Sequence, residues 1–356
     1  MNLLSFIGAQ NRGDERINKI FTMRLHLQPS MRPALLTVQR ISAPPQSSIA
    51  LPVAHTLKEA TIVVVSSGAL AVTAQLSLVF LFNRLISGRK AGAQERWKTG
   101  YIAHHVVCIL FMLFASTTGI IGWLSPTGAT AGLRLGVIGA SSSVRFLSAT
   151  LLGMLLLWDL PCSILIPKLR NPVMFGHHVA MAITTILATL YLPMYYGFYY
   201  LGISEVSSIP LCVTELSSHV HDTIRMEEEG GVEGKVKRLD ESAGAESAES
   251  RLARKLAAIR EISQVLFALT FLWLRGYMFT RVTLGPFLSD MLVLLSPAGV
   301  ASMSASAAAA VASKLVPLRM MLGLGLSFNL LQLFWAAMIL KTALGMWHVR
   351  QVDQRT

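Results

Sequence analysis

Charge is scarce in this chain. Only 14% of its 356 residues are Asp, Glu, Lys or Arg, against about 25% in an ordinary soluble domain. A water-soluble fold needs more polar surface than that to cover its core, so this class is excluded. Acids are the scarcer sign, and none occurs between Arg16 and Lys58. Cysteine is sparse too. Cys108, Cys162 and Cys212 stand far apart within apolar segments, which on spacing alone excludes a disulfide framework and a metal-ligand cluster. Buried structural thiols are the expectation, and no metal is expected. No N-x-S/T acceptor occurs, so glycosylation marks neither side of a membrane.

What the chain has instead is hydrophobic length. Apolar residues make up 53% of it, and they come in blocks of about twenty, the length that crosses the hydrocarbon of a bilayer. The expected fold is an all-α multi-pass membrane protein. Seven spans are predicted, near residues 60–86, 101–124, 145–166, 174–193, 196–217, 262–283 and 318–346. A tight "PMYYG" joins the fourth and fifth, which predicts antiparallel neighbours. The small-residue run 301–313 reads as a flexible loop, with a re-entrant piece as the alternative.

The net charge of +12 does not point to nucleic acid. Basic residues sit in short clusters between apolar blocks, such as Arg84, Arg89, Lys90, Arg96 and Lys98, as topology signals do. Loops 84–98, 167–172 and 218–261 hold most of them, together with the C-terminal tail. The positive-inside rule then puts these segments in the cytosol. Residues 1–57 form a basic leader with Arg12, Arg16, Lys19, Arg24, Arg32 and Arg40, either a disordered tail or an organelle transit peptide. Residues 58–95 carry the first span and its basic loop, and 96–348 the remaining helices. Within these, 218–261 is a charged loop that cannot bury a core, and 349–356 form a tail.

An ionisable group at mid-bilayer costs about 2.5–3.5 kcal/mol on insertion scales, so each one calls for a reason. His104 and His105 fall in the second predicted span, Asp159 in the third, and His177 with His178 opens the fourth. Glu205 lies in the fifth between Ser204 and Ser208, Arg275 in the sixth, and Asn329 with Gln332 in the seventh. Contributions from so many helices predict a polar interior cavity. Bland readings stand beside it. His104 and His105 can sit at headgroup level, Arg275 can pair structurally with Glu205, and Asn329 with Gln332 can join helices. Pro161, just after Asp159, predicts a kink.

The pair His177–His178 carries the chemical expectation. Adjacent helical residues point about 100° apart, so one ring can face a cavity while the other holds a neighbouring helix. An imidazole is a ready general base, and a carboxylate beside it fixes its tautomer, a task expected of Glu205 across the short hairpin.

These segments resemble a known family. "RWKTGYIAHHV", "LLLWDLP", "MFGHHVAMAITT", "ISEVSSIPL" and "LFALTFLWLRGYM", in this order, are similar to the TLC domain shared by ceramide synthases and other lipid-linked membrane proteins. The resemblance covers roughly residues 96–348 and implies a six-helix bundle preceded by one N-terminal span. The synthase signature pairs His-His on one helix with His-Asp on the next. Here the first pair matches His177 and His178, but Ser204 and Glu205 stand at the second. Glu205-Val206-Ser207 resembles the non-synthase branch, and Asp159 matches an acid on the preceding helix.

The resemblance implies membrane lipids as partners, no required cofactor, and the endoplasmic reticulum or a related endomembrane as the location. The Arg-rich leader keeps mitochondrion and plastid open, and no oligomeric state follows. Three functions are implied: lipid or acyl-chain binding in membrane-lipid homeostasis, acyl transfer from acyl-CoA, or non-enzymatic carriage. In acyl transfer His177 or His178 would activate the amine or accept the acyl group, with Glu205 orienting it. Ser204 cannot act as a base near neutral pH, so one member of the synthase apparatus is missing.

Overall fold

The computed structural model describes residues 54–86, 93–125, 141–230 and 248–353, and all regular structure among them is helical. The leader up to residue 53 and the middle of the charged loop, 231–247, lie outside the described residues, as do the expectations made for them.

Helix α1 spans Leu57–Ile86 and α2 spans Ala93–Leu124. Helix α3, Ser142–Met154, runs into a π-helical turn at Leu155–Asp159 and continues as α4, Leu160–Leu165. Pro161 has no N–H to close an ordinary turn, so the kink expected there takes the form of this wider turn. Asn171 caps α5, Pro172–Leu190, accepting from the amides of Val173 and Met174, and Pro172 supplies a preset first residue. His177 and His178 therefore sit well inside the helix rather than at a frayed end.

The next segment departs from expectation. Where one apolar span over 196–217 is predicted, the chain forms a single turn α6, Gly197–Tyr200, a 3₁₀ stretch Ile203–Ser207, and α7, Ser208–Gly230. Gly202 breaks the helix, and serines and charged groups interrupt the apolar face of α7. The hairpin neighbours differ as well. Helix α5 packs chiefly on α3, whereas the 3₁₀ stretch and α7 pack on α2. Six helices among the described residues are long and apolar enough to cross a membrane: Leu57–Arg84, Lys98–Leu124, Ser142–Leu165, Pro172–Leu190, Arg254–Leu295 and Leu315–Gly345.

The fifth of these is assembled from α8, Ala248–Thr270, a π-helical stretch Phe271–Met278, α9, Phe279–Val282, a second π turn Thr283–Phe287, and α10, Leu288–Leu295. It runs further than the predicted 262–283 and bends at Gly285 (φ −89°, ψ −106°), just before Pro286. The run 301–313, expected as a loop, contains the whole of α12, Ala305–Ala312, which follows the short α11, Pro297–Ala301. Ser296 and Ser304 cap the two, and Val311 is fully buried. Alanine's high helix propensity explains the difference. Helix α13, Leu315–Asp353, closes the fold.

Large apolar side chains such as Leu70, Phe80, Leu124, Trp273 and Leu330 remain exposed around the outside, as a lipid-facing surface requires. The interior core joins Leu147 and Leu151 of α3, Phe198, Tyr199 and Leu201 around α6, and Phe287, Met291 and Leu294 beyond the bend. Close helix approach depends on small residues. A Cβ on Gly119 of α2 would lie 2.6 Å from the Cα of Gly202, and one on Gly202 would lie 2.5 Å from the Cα of Gly119.

Gly202→Ala is therefore expected to cost about 1–3 kcal/mol by forcing α2 and the 3₁₀ stretch apart. Gly176→Ala, which meets nothing within 4 Å, is expected to be neutral. Thermal unfolding of both variants in detergent, read against wild type, checks the contrast.

Candidate functional site

Asp159 stands at the end of the π-helical turn, 8% exposed, between two helices that each offer a histidine. Its Oδ1 lies 3.5 Å from His104 Nε2 of α2, and its Oδ2 lies 2.6 Å from His178 Nδ1 of α5. The ring of His104 stacks on Trp158, centroids 4.7 Å apart, which fixes its orientation. His104 Nε2 also lies 3.5 Å from Cys108 Sγ, one helical turn on. His104, Cys108 and Asp159 together offer ligand atoms that all lie within 4.8 Å of one another. Sequence spacing suggested no such cluster, because Asp159 belongs to a different helix.

His177 turns the other way. It lines a cavity enclosing about 690 Å³ of empty space, part of it open to the outside. The walls are apolar, from Met181 and Leu192 through Tyr200, Phe279 and Phe287 to Met321 and Phe328, with Ser204, Glu205, Arg275 and Gln332 among the lining groups. The His177 ring meets Phe328 and Trp335 edge-on, at centroid distances of 5.7 and 5.3 Å. Its Nδ1 is buried without a hydrogen-bond partner among the described residues, as are Gln332 Oε1 and Asn329 Oδ1.

Glu205 does not orient a histidine. The Arg275 Nη2 group donates to Glu205 Oε2 at 3.1 Å and to Ser208 Oγ at 2.9 Å, and Nε donates to the Ser204 carbonyl at 3.0 Å. Ser208 Oγ donates in turn to Glu205 Oε2 at 2.8 Å, and Ser204 Oγ to the Tyr200 carbonyl at 2.8 Å. The carboxylate beside the paired histidines is Asp159. The physical reason is the packing of α5 on α3 instead of on the segment that follows it.

Of the residues expected around one cavity, His177, Ser204, Glu205, Arg275 and Gln332 line it. His178, His104 and Asp159 form the bridge behind His177, and Asn329 is buried on the same helix as Gln332 without reaching the lining. Ser208 serves the Arg275 network. His105 belongs to a separate cluster: its Nε2 lies 3.0 Å from Glu215 Oε2, to which the Tyr101 hydroxyl also donates. Lys168 Nζ donates to His219 Nδ1 at 2.7 Å beside it. Burial pushes His219 down to about 4, aided by the Lys168 ammonium, and burial also lowers Lys168.

The criterion that selects Asp159, an acid in an apolar block, also selects Glu215 and Asp290, which the reading of the spans passed over. Asp290 is buried and accepts from the Tyr196 hydroxyl at 2.7 Å, tying α10 to the loop before α6. It was missed because the predicted sixth span stops at residue 283. Tyr196 and Tyr200, both in the cavity wall, carry no sequence signal beyond their aromaticity.

The Arg275–Glu205 pair supplies a stability test. Arg275→Met strands a buried carboxylate and is expected to cost about 3–5 kcal/mol, whereas Arg275→Met with Glu205→Gln recovers much of the loss. Thermal unfolding of the single and double variants checks the coupling. Equal destabilisation by both would mean that the two charges do not interact.

The family profile of the TLC domain matches residues 102–341. No curated protein and no solved structure matches the chain. The matched region takes in the histidine–aspartate bridge, the cavity and the Arg275 network, and the chain belongs to the TLC domain family.

Proposed function

We propose that this protein binds a membrane lipid or acyl chain in its intramembrane cavity and acts in membrane-lipid homeostasis, in the endoplasmic reticulum or a related endomembrane. The observation that carries the reading is the lining of the cavity. Its walls are Met, Leu, Phe and Tyr side chains, suited to hydrocarbon, with a few polar groups gathered among them. That mixture is what a ligand with an apolar body and a polar end requires. Gln332 Oε1 and His177 Nδ1, both buried without partners among the described residues, are the groups left to meet that polar end.

Purified protein examined by native mass spectrometry is expected to carry a lipid-sized mass. Met181→Trp, which fills the cavity from α5, is expected to lose it while unfolding within a few degrees of wild type. Wild type without bound lipid, or a variant that keeps its full complement, would contradict the reading.

A second reading is acyl transfer, favoured by the unpartnered ring nitrogen of His177 with the Asp159–His178 pair directly behind it. In such a reaction the imidazole nitrogen would attack the thioester carbonyl of an acyl-CoA. The C–S bond would break, CoA would leave as the thiol, and an amine or hydroxyl would then take the acyl group and restore His177. Transfer of labelled acyl groups by wild type, abolished in a folded His177→Ala variant, would establish it. Lipid binding without turnover leaves the first reading in place.

A further inference from the structure

The cluster behind His177 is built like a metal site. Zinc bonds to nitrogen and oxygen at about 2.0–2.1 Å and to sulfur at about 2.3 Å, so tetrahedral ligand atoms lie roughly 3.3–3.6 Å apart. His104 Nε2 is 3.5 Å from Asp159 Oδ1 and 3.5 Å from Cys108 Sγ. Both contacts of His104 thus match the spacing that one ion requires, and all three donors, of three chemical types, lie within 4.8 Å of one another. His104 and Cys108 are four apart on α2 and share a face, while Asp159 arrives from a π-helical turn, a distortion common at functional positions.

We propose that His104 Nε2, Cys108 Sγ and Asp159 Oδ1 bind a zinc ion. This does not rest on the lipid reading. Thiolate and imidazole donors together favour zinc over magnesium or calcium, which take oxygen. Charge agrees as well. One thiolate and one carboxylate neutralise a divalent cation, so the occupied site carries no net charge into the apolar interior. Binding releases the thiol proton of Cys108 to solvent.

The surroundings supply what a metal centre needs beyond its ligands. The second oxygen of Asp159 is held by His178, as outer partners orient ligating carboxylates, and Trp158 stacks on the His104 ring. Water is the candidate for the fourth position, as at zinc sites with three protein ligands. His104 stands only six residues inside the span that starts at Lys98, about 9 Å along the helix, which gives an ion a short path from the aqueous side. The ion would clamp α2 to the π-helical turn and, through Asp159, set the ring of His178.

The full chain, purified with an affinity tag free of histidine and cysteine, is to be analysed for metal by elemental mass spectrometry and X-ray absorption. The expectation is about one zinc per chain, with one sulfur atom among nitrogen and oxygen neighbours. Cys108→Ser and Asp159→Asn are expected to lower zinc content at least tenfold, and His177→Ala to leave it unchanged. Wild type that stays metal-free after exposure to zinc overturns the proposal, as does a zinc site without sulfur or stoichiometric zinc in Cys108→Ser. Should that variant fail to fold, the sulfur count in wild type decides alone.

Discussion

A carboxylate inside a bundle whose outer surface faces lipid must be met by donors from its own protein, because hydrocarbon supplies none. Asp159 meets this demand by drawing on two other helices at once, His104 from α2 and His178 from α5. Much of the site follows from that constraint. The π-helical turn before Pro161 swings the carboxylate to where both rings reach it, and α5, which carries His178, is held against α3. Arg275 and Glu205 solve the same problem elsewhere, with Ser204 and Ser208 adding hydrogen bonds to the pair. Each solution crosses between elements, so each works as a tie as well as a charge sink.

The bridge also divides the labour of the two adjacent histidines. With about 100° between neighbouring side chains on a helix, His178 can be committed to Asp159 only if His177 points elsewhere. It points into the cavity. The same geometry that satisfies a buried acid therefore places the His177 side chain in the wall of the hollow. Gly119 and Gly202 make room for this arrangement, since only residues without side chains let α2 and the 3₁₀ stretch come close enough to place Ser204 and Glu205 in the cavity wall.

Membrane character and helix positions were legible in the sequence because they rest on length and hydropathy, which act locally. Most spans come within a few residues of expectation, from Leu57–Arg84 to Leu315–Gly345. The segment 196–217 was not, because its mean apolarity hides a break at Gly202 that only packing against Gly119 explains. Residues 301–313 misled in the opposite sense, since small residues read as a loop also make good helix. At the site, residue types were legible and pairings were not. His177, Arg275 and Gln332 were found as polar groups in apolar blocks, yet the partner of His178 is Asp159 rather than Glu205. Pairing depends on which helices touch, and a short hairpin proved a poor guide to that. Cys108 shows the same limit, being an ordinary buried thiol in sequence and a neighbour of His104 and Asp159 in space.

The position of Ser204 bears on which chemistry the site can support. In the synthase pattern that the sequence resembles, a second histidine–acid pair stands here. In this chain the serine hydroxyl is spent on the Tyr200 carbonyl, and the adjoining carboxylate is spent on Arg275. Neither is placed to move a proton for His177. Any proton relay available to His177 must therefore run through ligand or water in the cavity, with His178 and Asp159 shaping the field behind it. A cavity that needs only to hold a lipid requires no relay at all. The network around Ser204 and Glu205 thus weighs toward binding, while His177 keeps one titratable side chain in the cavity wall.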